Sequence, residues 1–424
     1  MTHPIEHRGN ELYIESISAA EIAKEFGTPT YVYSRALIEE AFNSYKNMLT
    51  SHRSLICYAV KANPNLAVLD ILVRLGAGFD IVSEGELKRV LTAGGDPGKI
   101  VFSGVGKTPS EMNTALKSKI YCFNVESESE LNTLNEVSKK MGEIAPISIR
   151  INPNVNPTTH PYIATGMRKN KFGVPKDEVI KLYEKASKLK NISVQGIDCH
   201  IGSQLVDINP LIESIQQLLE IVDELKRRGI NLEHINLGGG LGITYRDETP
   251  PSIADYIRNI LSELGDNNLK LIVEPGRSII GNAGILITEV QYLKTTSHRN
   301  FAIVDAAMND MLRPALYDAW LEILPISKRH GIEHKTWDIV GPVCESGDFL
   351  GHQRNLAIKE RDILAVLSAG AYGSSMSSNY NSRCRAAEVI VDSETIHLAR
   401  KRESFNDLIL GENLLAKTEK PRAK

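Results

Sequence analysis

No apolar run in this 424-residue sequence approaches the length needed to span a bilayer, so a membrane-embedded protein is not expected. Charge of either sign is not in large excess. The net charge is −3, which leaves no broad basic surface for nucleic acid or for an anionic membrane. Cysteine is scarce and scattered. Cys57, Cys122, Cys199, Cys344 and Cys384 are odd in number, far apart, and contain no CxxC pair. That argues against a disulfide framework and against a zinc site, and for reduced thiols. The first residues, MTHPIEHRGNELYIES, lack the apolar stretch of a secretory signal. The composition is otherwise that of an ordinary globular protein, and the expected location is the cytoplasm.

What the sequence does have is a repeated unit. Between about Ser54 and Gly276 a short apolar run is followed by a polar or glycine residue and then, in most cases, a helical stretch. The runs are SLICYAV (54–60), GFDIVS (78–83), KIVFSG (99–104), IYCFNV (120–125), PISIRI (146–151), SVQGIDCHI (193–201), HINLGG (234–239) and LKLIVEP (269–275). Most lack polar alternation, as do strands buried on both faces. Helical stretches are expected over 65–75, 84–93, 127–140, 176–190, 209–228 and 252–264, with Ser83 and Ser127 as N-caps. Eight such units predict a (β/α)8 TIM-type barrel, with a doubly wound open sheet as the alternative. After Gly276 the texture changes to β-rich runs (285–293, 301–306, 362–368, 386–392 and 395–400) separated by Gly, Pro, Asn and Ser. Further strands are expected at 11–17 and 28–34. The resulting division is an N-terminal segment, 1–35, pairing with the later β domain; a barrel, 36–277; a mainly β domain of sandwich or barrel type, 278–415; and a disordered polar tail, 416–424.

Active sites of such barrels lie at the C-terminal ends of the strands. There stand Lys61, Asp80 with Ser83, His200 followed by Gly202 and Ser203, the glycines 238–240 and 242, and Glu274-Pro275-Gly276-Arg277. A lysine after an apolar strand is commonly a snorkelling surface residue. Used chemically, it forms a Schiff base with an aldehyde cofactor. Consecutive glycines make either a bare tight loop or a nest of N–H groups for phosphate, and the usual phosphate site of these barrels follows strands seven and eight. Glu274 at the end of a buried strand needs a partner. Arg277 would serve structurally, a protonated ring nitrogen functionally. His200 is either a hydrogen-bonded core residue or a group stacked against a flat ring.

YAVKAN, GFDIVSEGEL, HIGSQ, NLGGGLG, EPGR, CESGD and GAYG, in this order, resemble the fold-type III pyridoxal-phosphate-dependent decarboxylases. Within that group the segments 152–173, RPALY (313–317) and GPVCESGDFL (341–350) are similar to those of diaminopimelate decarboxylases, and the resemblance runs from about residue 5 to 415. It implies that Lys61 carries pyridoxal 5'-phosphate and that Gly240, Gly276 and Arg277 surround the phosphate. Glu274 would meet the ring nitrogen, and Tyr372 would reach the cofactor. Asp80, His200, Ser203, Gly238, Gly239 and Pro275 would complete the cofactor pocket. Arg277, Arg313, Tyr317, Glu345 and Tyr372 would bind substrate. Lys61, His200, Glu274 and Cys344 would be catalytic, Cys344 as proton donor. The resemblance also implies that Cys344 and Glu345 enter from a partner subunit, which makes the active unit a homodimer without metal. The expected reaction is decarboxylation of meso-2,6-diaminoheptanedioate to L-lysine, the last step of lysine biosynthesis. A second arginine suits a substrate with a distal carboxylate, and disfavours ornithine or arginine as substrate more than carboxynorspermidine. An alanine racemase would need a second base facing the lysine, and no matching tyrosine motif is found. A non-catalytic cofactor-binding protein would have no use for Cys344. Cys57, Cys122 and Cys199, inside apolar strands, are expected to be inert core thiols.

Overall fold

The computed structural model describes residues 3–155, 166 and 170–415; the expected disordered tail (416–424) and much of the 152–173 segment lie outside these residues. Eight parallel strands form the first body: Ser54–Ala59, Gly78–Ile81, Ile100–Phe102, Cys122–Val125, Ala145–Asn152, Ile192–Cys199, His234–Asn236 and Lys270–Val273. Each pairs with the next, and Ile272 of the eighth lies opposite Leu55 of the first, so the sheet closes into a barrel. The open-sheet alternative is thereby excluded. Closure explains the uninterrupted apolar runs: Gly78–Ile81, Ile100–Phe102 and Cys122–Val125 are buried at every position.

Local chemistry starts the helices where expected. The Ser83 hydroxyl accepts from the Glu86 N–H at 3.2 Å, and the Ser127 hydroxyl from the Glu130 N–H at 3.1 Å, so each strand end turns at once into a capped helix. Several helices were not anticipated, among them Ala19–Phe26 and two that lie within or beside the barrel repeat. Arg35–Met48 is capped by Ser34, and Pro109–Ser118 opens with a capping box made by Thr108 and Glu111.

The second body is a mixed sheet built around the long strand Gly284–Thr295. That strand pairs with Asn300–Val304, with Ile363–Val366 and with the early strand Thr30–Ser34. Thr30–Ser34 also runs parallel to Ala387–Asp392. The strand expected at 11–17 is two short ones, broken where Glu15 takes a positive φ of 52°; with Ile5–Arg8 they form a small antiparallel sheet. Hydrogen bonds tie the body to the barrel mouth: the Tyr372 N–H donates to the Ala62 carbonyl at 2.8 Å, the Ser375 hydroxyl to the same carbonyl at 3.2 Å, and the Asn63 amide to the Gly370 carbonyl at 3.1 Å. These place the segment 370–373 beside Lys61. No helix among the described residues is long and apolar enough to cross a membrane.

Candidate active site

The first barrel strand ends in a single 3-10 turn, Val60–Ala62, that carries Lys61. Its ammonium lies 2.6 Å from a carboxylate oxygen of Asp80, at the end of the neighbouring strand. Burial alone would lower the lysine, but Asp80, with Tyr372 and Glu274, outweighs it and holds Lys61 above its ordinary value. Asp80 is wholly buried, and its other oxygen has no hydrogen-bond partner among the described residues. Glu86, in the first turn of the helix that follows, is pushed up to about 7, chiefly by burial.

On the other neighbour of the first strand, Glu274 is buried at the end of the eighth strand. Its partner is not Arg277. The Asn236 amide donates to Glu274 Oε1 at 2.6 Å, and the Asn124 amide lies at 3.5 Å. Burial, then Asp80 and Asp198, push Glu274 well above the usual carboxylate range. A cation brought to this carboxylate would relieve that destabilisation, which is what a protonated ring nitrogen provides.

The glycine segment lies directly beside these groups. The Asn236 side-chain oxygen accepts from the Gly238 N–H at 2.9 Å, so one buried side chain holds both Glu274 and the start of the nest. The His200 Nδ1 accepts from the Gly239 N–H at 3.2 Å, and burial, with Arg150 and Lys61, lowers His200 well below its ordinary value. Gly238 and Gly240 take positive φ of 63° and 120°. A Cβ at Gly239 would sit 2.2 Å from the Glu274 carbonyl oxygen, and one at Gly276 would sit 3.1 Å from the Cβ atoms of Ala59 and Ala62. Only glycine lets these backbones approach so closely. Pro275 accepts from the Ala59 N–H at 3.1 Å, joining the eighth strand end to the first.

Arg277 is buried, and its Nη2 donates to the Ser203 hydroxyl at 3.0 Å. The Tyr372 ring, held at a positive φ of 56°, lies 4.9 Å from the guanidinium. Arg313 and Tyr317 open and close one short helix, as their spacing suggested. Arg313 is not a surface residue: it is 6% exposed, and its Nη1 has no hydrogen-bond partner among the described residues. Cys344 and Glu345 stand apart. Both are exposed; the Cys344 N–H donates to Asn381 Oδ1 at 3.1 Å, and the Tyr380 hydroxyl to Glu345 at 2.5 Å. The other thiols of interest, Cys57, Cys122 and Cys199, are buried, and among the described residues no cluster of potential metal ligands occurs.

Lys61, Asp80, His200, Ser203, the glycines, Glu274, Arg277, Arg313 and Tyr372 therefore meet at one mouth. Asn236, Asn124 and Tyr245 were not anticipated. Nor was Arg150, which is buried and bridges Glu126 at 3.0 Å and Asp198 at 3.9 Å. Only the position of Asn236, two residues before the glycines, offered a signal. The combination fits a phosphorylated pyridine aldehyde: an amine, a ring-facing carboxylate in want of a cation, and a glycine cradle.

The known proteins agree with that fit. Residues 35–281 match the family model described as "Pyridoxal-dependent decarboxylase, pyridoxal binding domain". The curated diaminopimelate decarboxylase of Pseudomonas aeruginosa is 54% identical over 409 residues, 96% of this chain and 98% of that one. That of Vibrio cholerae is 54% identical over 406 residues, 96% and 97% of the two chains. Among solved structures, diaminopimelate decarboxylase from M. jannaschii in co-complex with L-lysine superposes with a TM-score of 0.92 at 39% identity, covering 97% of this chain and 98% of that one. Matched in this way along nearly its whole length, the chain belongs to the diaminopimelate decarboxylase family of pyridoxal-dependent decarboxylases.

Proposed function

We propose that this chain, as a homodimer in the cytoplasm, decarboxylates meso-2,6-diaminoheptanedioate to L-lysine and CO2 with pyridoxal 5'-phosphate as cofactor. The observation that carries the substrate is Arg313, a buried guanidinium with an unpartnered Nη1 among the described residues, placed beside Arg277. Two cations at one end of a site call for an anion there, and the distal carboxylate of this substrate is that anion.

Lys61 would hold the cofactor through its aldehyde carbon, the glycines 238–240 with Gly276 would receive the phosphate, and Glu274 would face the ring nitrogen. When bound, the cofactor supplies an electron-accepting ring. The residues of the chain do the rest. Arg277 and Arg313 hold the distal carboxylate, and Tyr317 and Tyr372 wall that end. Glu345 receives the distal ammonium. As the carboxylate on the reacting carbon leaves as CO2, the Cys344 thiol delivers a proton to that carbon. Cys344 and Glu345 are exposed in the single chain, which supports their serving the site of a second copy.

The test is CO2 release by the purified protein from meso-diaminopimelate, ornithine, arginine and carboxynorspermidine in parallel. Diaminopimelate should be preferred by a factor of about 10⁴ over ornithine, because polar matching discriminates far more than apolar fit. Equal turnover of ornithine or carboxynorspermidine would overturn the substrate while leaving the cofactor reading intact.

A further inference from the structure

Tyr245 stands three residues after the last glycine of GGGLG, in a loop that the hydrophobic pattern does not single out. It is buried, at 8% exposure. Its hydroxyl accepts from Arg277 Nη1 at 2.6 Å, while its ring lies 4.6 Å from the Arg313 guanidinium. One side chain thus touches two cations from different bodies of the protein. Arg277 follows the eighth barrel strand, and Arg313 opens a short helix after the strand Asn300–Val304.

The loop is built to hold this tyrosine still. The Glu248 carboxylate accepts from the Tyr245 N–H at 2.9 Å and from the Arg246 N–H at 2.7 Å. Just upstream, the Gln204 amide is bonded both ways to the Ile243 backbone, accepting at 3.1 Å and donating at 2.6 Å. Gln204 belongs to the same HIGSQ segment as Ser203, which takes the other end of Arg277. Arg277 is therefore clamped between Ser203 and Tyr245. Two guanidinium groups at one site repel each other, and burial deepens the cost. An aromatic ring offers a cation an attractive face, and a phenol oxygen offers the other an acceptor. Neither neutralises the pair, so the positive charge remains for a ligand.

We infer that Tyr245 is a positioning residue that spaces Arg277 and Arg313 into a receptor for the substrate's distal carboxylate, and so sets selectivity for amino acids that carry one. The inference rests on the proposed reaction and deepens it. The hydroxyl fixes Arg277, and the ring fixes Arg313, so the two parts can be separated by substitution.

The experiment compares Tyr245→Phe, Tyr245→Leu and wild type, all as holoenzyme. Equilibrium binding of L-lysine is measured beside that of 1,5-diaminopentane, which has the same two amines and no carboxylate. Wild type should prefer L-lysine. Tyr245→Phe should weaken L-lysine binding on the order of tenfold, the worth of one hydrogen bond to a charged group, and leave 1,5-diaminopentane binding unchanged. Tyr245→Leu should erase most of the remaining preference. In turnover, Tyr245→Phe should raise KM for diaminopimelate by a similar factor with kcat within about twofold of wild type. The visible absorption of the bound cofactor should be unaltered, which separates positioning of the arginines from general damage. Retention of the full L-lysine preference in both variants would overturn the inference. So would an equal loss for both ligands, since that is the mark of a merely structural role. If wild type itself showed no preference for L-lysine, the proposed substrate would fall instead, a separate result.

Discussion

Lys61 and Glu274 stand at the ends of two adjacent strands, the first and the eighth, and each was visible in the sequence because each ends an apolar run on a charge. What the sequence could not reveal was the partner. Glu274 is held by Asn236 and Asn124, which come from different strands and meet it only once the barrel closes. Tyr245 was invisible for the same reason, since its meaning lies in two arginines distant from it in sequence. Lys61→Ala should yield a protein to which borohydride no longer fixes the cofactor and which lacks the visible absorption of the lysine-bound form. A variant that kept both would remove Lys61 from the site. Glu274→Gln preserves the shape and the acceptor oxygen but not the charge. It should lower kcat on the order of 10²-fold, as removal of one preorganised electrostatic group does, while cofactor affinity, measured by titration of the apoprotein, changes much less. An undiminished kcat would show that the ring does not depend on this carboxylate.

At the scale of elements, the barrel strands were legible because burial on both faces leaves them no polar alternation. The strands Lys335–Val340 and Phe349–Leu356 were not, because buried and exposed positions mix in them without a regular period and charged and amide residues interrupt the apolar ones. The turn after the seventh strand makes a direct test of packing. In Gly239→Ala the new methyl would meet the Glu274 carbonyl, a backbone atom that cannot swing away. A cost of about 1–3 kcal/mol is expected. It should be read as a lower melting temperature together with cofactor lost on dialysis; retention of both would mean that the two strand ends can part freely. The other end of the same strand carries His234, which is fully buried. Among the described residues its ring nitrogens have no hydrogen-bond partner, and a Cβ at Gly196 would fall 2.0 Å from Nε2. Burial, aided by Lys270, pulls His234 down to about 3. The unfolded chain, with an ordinary histidine, takes up a proton below about pH 6.5, whereas the folded chain does so only near pH 3. Stability is therefore unaffected by this group above that range and falls as pH drops, by about 2 kcal/mol between pH 6.5 and 5. Denaturant unfolding of His234→Leu should show a shallower acid dependence over that interval. An identical slope in both proteins would assign the acid sensitivity elsewhere.

For the whole molecule, the division of labour between two bodies sets the terms. The barrel presents Lys61, Glu274 and the glycines at its mouth, and the second body adds Arg313 and Tyr372. Cys344 and Glu345 lie in that second body too, but their bonds are to Tyr380 and Asn381 and they face outward. A thiol so exposed cannot protonate a carbon in a closed pocket unless something covers it. A second copy related by a two-fold axis would place the same residues reciprocally, each chain completing the other's site. Two inactive variants then complement. Lys61→Ala lacks the cofactor amine, and Cys344→Ala lacks the donor. When the two are mixed and allowed to exchange subunits at random, half the dimers are hybrids, and in each hybrid one of the two sites has both native residues. The expected recovery is about a quarter of wild-type activity. The cofactor absorption of the Cys344→Ala chain should be normal throughout, which distinguishes a missing donor from a damaged pocket. Exchange must be followed independently, for example by mass spectrometry of a tagged chain. Complete exchange with no recovery would mean that each chain builds its site alone, and the position of Cys344 would then require a movement of its own loop toward the barrel rather than a partner.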